Sequence, residues 1–213
     1  MNLNITYGGN YMKLSIKTML MILIIPASIN AEEINYDYLE SIYWNHEVSG
    51  RTVADETYDG YKISISKAIA KNIHLLASYT DADKTNKDAV VNKSMGFGIN
   101  YPINKKTDFV FEYSHLNVVH SYPSLGNINI KTLINSIEAK INHQFSDDIK
   151  LMAGLIRNDH AGEANLYIGY SASAKYRVND DFSIKYEIQS IKDSKVVNSG
   201  DIVTTELGLS YSF

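Results

Sequence analysis

The sequence contains no cysteine, only three prolines and a single tryptophan, Trp44. Without cysteine there are no disulfides, no thiolate metal ligands and no cysteine nucleophile. The formal net charge is −4 and no basic run is present, which argues against a nucleic-acid partner. Charged residues make up 21% of the chain, which is too ordinary for a disordered polyelectrolyte. No convincing amphipathic helix pattern is found either, so the periodicity that is present becomes the main evidence.

The N-terminal segment has the layout of a secretory signal peptide. Lys13 and Lys17 form a basic start, an apolar stretch follows over 19–27, and the small residue Ala31 precedes acidic Glu32. The apolar stretch is too short for a membrane-spanning helix, which needs about 20 residues. We therefore expect cleavage after Ala31.

This expectation divides the chain into two parts. Residues 1–31 are interpreted as an N-terminal extension plus signal peptide, and residues 32–213 as one barrel domain. Either Met1 or Met12 can serve as the start, and the sequence does not decide between them.

The rest of the chain alternates between apolar and polar residues, the pattern of half-buried β-strands. Short polar turns follow every second predicted strand, and longer polar loops follow the others, the longest around 118–129. The ten predicted strands lie near 36–48, 57–69, 72–83, 92–103, 106–119, 130–145, 148–160, 164–178, 181–193 and 201–213.

The two faces of these strands differ in polarity, and their composition fits a barrel with its outer face in lipid better than one with its outer face in water. In 181–193, Phe182, Ile184 and Tyr186 share one face, and Lys185 and Glu187 share the other. The polar face is rich in glycine and serine, which suits a crowded concave interior, and it carries charges of both signs that can pair there. We therefore predict an apolar exterior and a polar interior. The predicted lumen network comprises Lys62, Glu112, Glu138, Lys140, Lys175, Lys185 and Glu187.

Aromatic residues are predicted to form two bands about one membrane thickness apart, like the girdles of a transmembrane barrel. The band at the short-turn end comprises Tyr101, Phe109, Phe145, Tyr176, Phe182, Tyr211 and Phe213. The band at the long-loop end comprises Tyr79, Tyr113 and Tyr167.

The predicted fold class is all-β: a transmembrane antiparallel up-and-down β-barrel of about ten strands, with eight as the alternative. Pairing of the first strand with the last leaves no open edge in lipid.

Three stretches resemble small outer-membrane β-barrels of Gram-negative bacteria, of the OmpA-like or opacity-protein type. They are the terminal "LGLSYSF", the opening "NYDYLE" (35–40) and the hairpin "YRVNDDFSIKYE". The resemblance implies a location in the bacterial outer membrane and an assembly signal at Leu209, Tyr211 and Phe213, read by the barrel-assembly machinery. The other expected partners are outer-membrane lipid and lipopolysaccharide, and the chain is expected to be a monomer.

Residues at the loop ends of two strands are candidate catalytic groups: Asp81 and Asp83 on the third strand, Asp159 and His160 on the seventh. Omptin proteases have an acid pair facing an Asp/His pair, with that Asp and His spaced by one residue and on the same face. Here Asp159 and His160 are adjacent, so they point to opposite faces of a regular strand. A lipid-modifying enzyme would use groups such as His115, His120 or Ser121, which have no convincing triad spacing.

No catalytic, cofactor or metal site is therefore expected. The predicted function is a non-enzymatic barrel with a structural or surface-interaction role, in membrane integrity, in adhesion or as a surface antigen. A small low-conductance pore and an enzyme at the barrel rim, protease or lipid-modifying, remain as alternatives.

Overall fold

The structure is a computed structural model that describes residues 2–7, 10–15, 36–49, 56–84, 88–160, 166–193 and 201–213. Within these residues, ten strands form one closed antiparallel barrel in which neighbours in the chain pair with each other. The first and last of these strands pair with each other, and this pairing closes the barrel. The strands are β3 (Tyr38–Ser49), β4 (Glu56–Ala70), β5 (Ile73–Asp83), β6 (Ala89–Asn104), β7 (Thr107–Tyr122), β8 (Ile128–Gln144), β9 (Ile149–His160), β10 (Leu166–Arg177), β11 (Phe182–Asp193) and β12 (Asp201–Ser212). The predicted ten-stranded barrel is confirmed.

Two further strands lie at the N-terminus, where the sequence predicted none. Strands β1 (Asn2–Tyr7) and β2 (Asn10–Ser15) pair antiparallel and form a separate two-stranded sheet. The expected cleavage site after Ala31 lies outside the described residues, so the signal peptide stays a prediction.

The connections alternate in length, as the sequence predicted. Short turns at 71–72, 105–106, 145–148 and 178–181 join pairs of strands at one end of the barrel, here called the short-turn end. The opposite end is called the long-loop end. No helix among the described residues is long and apolar enough to cross a membrane.

The prediction of the longest loop around 118–129 was wrong. Strand β7 continues to Tyr122 and β8 begins at Ile128, and only a short 3₁₀ turn over Pro123–Leu125 and the next two residues separate them. Gly126 and Asn127 provide the left-handed backbone that the turn needs. The polar "HSY" stretch is therefore part of a strand, and β7 and β8 form a long hairpin.

The β7–β8 hairpin projects beyond its neighbour β9. Pairing between β8 and β9 begins at Ile134 with His160, so, among the described residues, 128–133 pair with β7 alone. Leu125, Ile128 and Ile130 are exposed on this projecting part. An exposed apolar hairpin is thus a feature of the long-loop end.

The inward-facing glycines make room for side chains that cross the lumen. The clearest case is Gly98 on β6, because a Cβ atom placed there would lie 2.1 Å from Nε2 of His74. The His74 ring is buried on the neighbouring strand β5, and its side chain is 1% exposed. A side chain at position 98 and the His74 ring therefore exclude each other.

We predict that Gly98→Ala destabilises the folded barrel by about 1–3 kcal/mol, since the added methyl group overlaps the buried imidazole. The double variant Gly98→Ala/His74→Ala removes the overlap, so the two substitutions should be strongly non-additive. Urea unfolding in lipid vesicles measures both effects. Additive losses would show that the ring does not need the space at Gly98.

Candidate functional site in the barrel lumen

The outer surface of the barrel carries a continuous belt of exposed apolar side chains. On β11 and β12, for example, Tyr186 is 48% exposed and Leu209 is 56% exposed. Monomeric proteins in water rarely expose contiguous apolar patches larger than a few hundred Å². Other members of the belt are Leu39, Tyr43, Ile63, Ile65, Phe97, Ile99, Leu155, Ile168, Tyr170, Ile184 and Leu207. The fold and this belt together define a transmembrane β-barrel.

Aromatic rings flank the belt at the short-turn end. Phe182 lies 5.1 Å from Tyr211, and Tyr211 lies 6.1 Å from Phe213, measured between ring centroids. The assignment of Tyr167 to the outer aromatic band at the opposite end was wrong. Tyr167 lines the lumen and stacks on His160, because its strand position is opposite to that of the outward-facing Ile168.

Lys140 lies at the centre of an ion-pair cluster halfway along the lumen. Its Nζ is 2.6 Å from Glu112 and 3.3 Å from Glu138. The Ser171 hydroxyl donates a hydrogen bond of 2.5 Å to Glu138, and Nε2 of His74 is 3.5 Å from Glu112. Both carboxylates therefore have polar partners on two sides.

Lys185 connects a second cluster on the facing strands. Its Nζ is 2.9 Å from Glu187 and 3.3 Å from Glu40. Glu40 also lies 3.9 Å from Lys175, whose Nζ donates a hydrogen bond to the Ser210 hydroxyl. Glu40 is 6% exposed, so its charge depends on these lysines for stabilisation.

A third pair joins β4 to β12, where Lys62 lies 2.6 Å from the buried Glu206. Sequence reasoning placed the seven predicted network residues in the lumen, and the structure brings all seven into these pairs. It missed Glu40 and Glu206, although both lie on the polar faces of their strands. We call the set the ion-pair layer: Glu40, Lys62, Glu112, Glu138, Lys140, Lys175, Lys185, Glu187 and Glu206.

The ion-pair layer lies between two cavities. The outer cavity, on the side of the long-loop end, has a volume of about 400 Å³, and the inner cavity has a volume of about 70 Å³. Both cavities are lined by Tyr38, Glu40, Glu112, Lys140, Lys185 and Glu187. These side chains therefore form the partition between them.

The prediction of a polar interior holds for the layer, and the outer cavity combines polar and apolar side chains. Trp44, Tyr58 and Val118 belong to a buried apolar cluster inside the barrel. Trp44 and Val118 line the outer cavity together with the buried Ile156 and Ile191. The lumen is thus charged at mid-height and of mixed polarity toward the long-loop end.

A series of aromatic rings crosses this apolar region. Trp44 stacks on His46 at 4.9 Å, and His46 lies 6.4 Å from Tyr58. The ring of His120 lies 6.2 Å from Tyr58 and stacks at 6.2 Å on Tyr122. Nδ1 of His46 is hydrogen-bonded to Thr204 across the closing strands. The rings fix the shape of the outer cavity.

The candidate protease residues do not lie together around one point. Asp159 faces outward and pairs with Arg157, whereas His160 lines the outer cavity. Asp81 accepts hydrogen bonds from outward-facing Tyr61 and Tyr79. These contacts give no acid pair opposed to an Asp/His pair.

The candidates for a lipid-modifying site are also separated. His115 is hydrogen-bonded to Asn135 on the outer face, and His120 lies in the lumen. Within the described part of the chain, no group of three or more His, Asp or Glu residues is arranged to hold a metal ion.

Solved structures that are similar to this chain include membrane β-barrels. The chain is similar to the translocator domain of the autotransporter NalP from Neisseria meningitidis, with 10% identity, a TM-score of 0.49 and coverage of 92% of this chain and 96% of that chain. It is similar to Neisserial surface protein A, with 11% identity, a TM-score of 0.42 and coverage of 83% and 96%. For the KdgM porin the values are 12%, 0.44, 82% and 99%. No model of a known protein family and no curated protein sequence matches the chain.

We predict that Lys140→Met lowers the free energy of unfolding by about 3–5 kcal/mol, because it leaves two buried carboxylates without their cation. The triple variant Lys140→Met/Glu112→Gln/Glu138→Gln should recover most of the loss. Lys131→Met, at an exposed position on the same strand, is the control and should change stability by less than about 0.5 kcal/mol. Equal effects of the two single variants in lipid-vesicle unfolding would contradict the role of the layer.

Proposed function

We propose that the chain is an integral barrel of a bacterial outer membrane, with no enzymatic activity and no open channel, that serves a structural or surface-interaction role. The observation that carries the proposal is the ion-pair layer. Each of its lysines lies within 4.0 Å of at least one glutamate, and the layer separates the two cavities of the lumen. The ion pairs join strands across the lumen and stabilise the barrel, and a lumen closed in this way gives solutes no path.

The surface role is supported by the projecting β7–β8 hairpin. Leu125 is 65% exposed and Ile130 is 51% exposed, beyond the point where β9 pairs with β8. Exposed apolar side chains beyond the barrel wall suit contact with another surface. Lipopolysaccharide and a host surface are the partners that we propose for this end.

Export and assembly complete the proposal. A signal peptide cleaved after Ala31 would direct the chain across the inner membrane. Strand β12 would then present Leu209, Tyr211 and Phe213 to the barrel-assembly machinery. Leu209 and Tyr211 face outward on the closing strand, where such a contact is accessible before closure. We propose that the assembled protein is a monomer.

A small pore is the second candidate, and the two cavities favour it. Among the described residues, Tyr38 and side chains of the ion-pair layer separate the outer cavity from the inner one. A movement of Lys140 or Lys185 would join them. The two candidates thus differ in whether the layer stays closed.

Conductance in planar bilayers distinguishes the candidates. We predict no steady conductance for the unmodified protein, and a cation-selective conductance for Lys140→Ala/Lys185→Ala, which removes side chains from the partition and leaves its glutamates. Lys93→Ala/Lys131→Ala removes the same charge outside the lumen and should stay closed. Heat-modifiable gel mobility verifies that each variant is folded.

Steady conductance of the unmodified protein would favour the pore. A folded Lys140→Ala/Lys185→Ala variant without conductance would show that the layer is not what closes the lumen.

A further inference from the structure

The outer cavity has the size and the wall of a ligand site. Its volume of about 400 Å³ lies within the range of roughly 300–1,000 Å³ that is usual for small-molecule pockets. Its wall combines polar side chains, such as those of Thr80 and Gln189, with apolar ones from several strands: Trp44, Val90, Leu116, Val118, Ile134, Ile156 and Ile191.

Four residues that line the outer cavity each have a polar side-chain atom without a hydrogen-bond partner among the described residues. The atoms are Oδ1 of Asn92, Oδ1 of Asn158, Nδ1 of His120 and Oε2 of Glu206, all shielded from solvent. Buried polar atoms are nearly always hydrogen-bonded, so four unpartnered atoms on residues around one cavity indicate a ligand that supplies donors.

The floor of the cavity sets the charge of that ligand. Lys140 and Lys185 each contact two glutamates, so neither offers a free positive charge to a ligand. An anionic ligand would lose its hydration without gaining a counter-charge, because the described lining carries five glutamates and three lysines. The chemistry of the site therefore excludes anions.

We infer that the outer cavity binds a small molecule without negative charge that has an apolar, preferably aromatic, body and one or two hydroxyl or amine groups. The rings of Trp44 and His120 provide stacking surfaces for the body. The amide oxygens of Asn92 and Asn158 accept hydrogen bonds from its donors. This inference goes beyond the proposed function and does not depend on whether the lumen conducts.

The intrinsic tryptophan fluorescence of the protein can report this binding. Trp44 is the only tryptophan in the chain and lies in the cavity wall, so a nitroaromatic molecule bound in the cavity quenches its fluorescence. Two probes of nearly equal size, 4-nitrobenzyl alcohol and 4-nitrotoluene, differ in the hydroxyl donor. In lipid nanodiscs we expect saturable quenching by both, with the alcohol bound about threefold to tenfold more tightly.

Two variants test the location of the site. Ile134→Phe places a larger side chain in the cavity and should weaken binding of both probes at least tenfold. Ile137→Phe is the matched control, because Ile137 lies on the same strand but pairs with the outward-facing Tyr113 and Arg157. The control should bind both probes as the unmodified protein does. Linear quenching that is equal in all three proteins would show collision from the lipid phase and would overturn the site.

A third variant tests the polar recognition separately and remains usable if Ile134→Phe does not fold. Asn158→Leu removes one unpartnered acceptor but keeps the apolar wall. It should abolish the advantage of the alcohol and leave 4-nitrotoluene binding unchanged or stronger. If the unmodified protein does not prefer the alcohol, or if Asn158→Leu keeps that preference, the inferred hydrogen-bonding role is wrong.

Discussion

Closure of the barrel between β3 and β12 is the constraint on which the rest of the structure depends. Backbone polar groups in hydrocarbon must all be paired within the protein, and only a closed barrel pairs both edges of a sheet. The pairing of Leu209 with Ser41 and of Glu206 with Trp44 fixes the register of the closing strands. Because successive side chains point to opposite faces, this register directs Leu209 toward lipid and Glu206 into the lumen.

The interior follows from the same register. Buried charges are tolerated only when they are paired, and each glutamate of the ion-pair layer has a lysine partner. The partner lies on another strand for Glu40, Glu112 and Glu206, and on the same strand for Glu138 and Glu187. Toward the long-loop end, apolar side chains cluster around Trp44 and Val118, and Lys84 pairs with Glu56 at 3.0 Å. One lumen therefore combines a closed polar partition with a cavity of mixed apolar and polar lining that has room for a ligand.

Sequence periodicity predicted the strands and the lumen charges, because alternation is regular where one face meets lipid and the other meets paired charges. It failed where both faces are apolar. Val118 and Val119 point to opposite sides, so the stretch loses its alternation, and its pattern indicates a loop rather than a strand. Val90 and Val91 also point to opposite sides of their strand, so the alternation is lost there as well. Ion-pair partners such as Lys62 and Glu206 are far apart in sequence, and only the barrel register brings them together.

The central claim is that apolar side chains face lipid while Trp44 lies inside the barrel. Quenching by lipids with brominated acyl chains tests it directly. The account predicts little quenching of the unmodified protein, since Trp44 is 9% exposed and lumenal, and strong quenching of Trp44→Phe/Tyr186→Trp, whose only indole lies in the outer belt. Strong quenching of Trp44 together with weak quenching of the Tyr186→Trp variant would contradict the account.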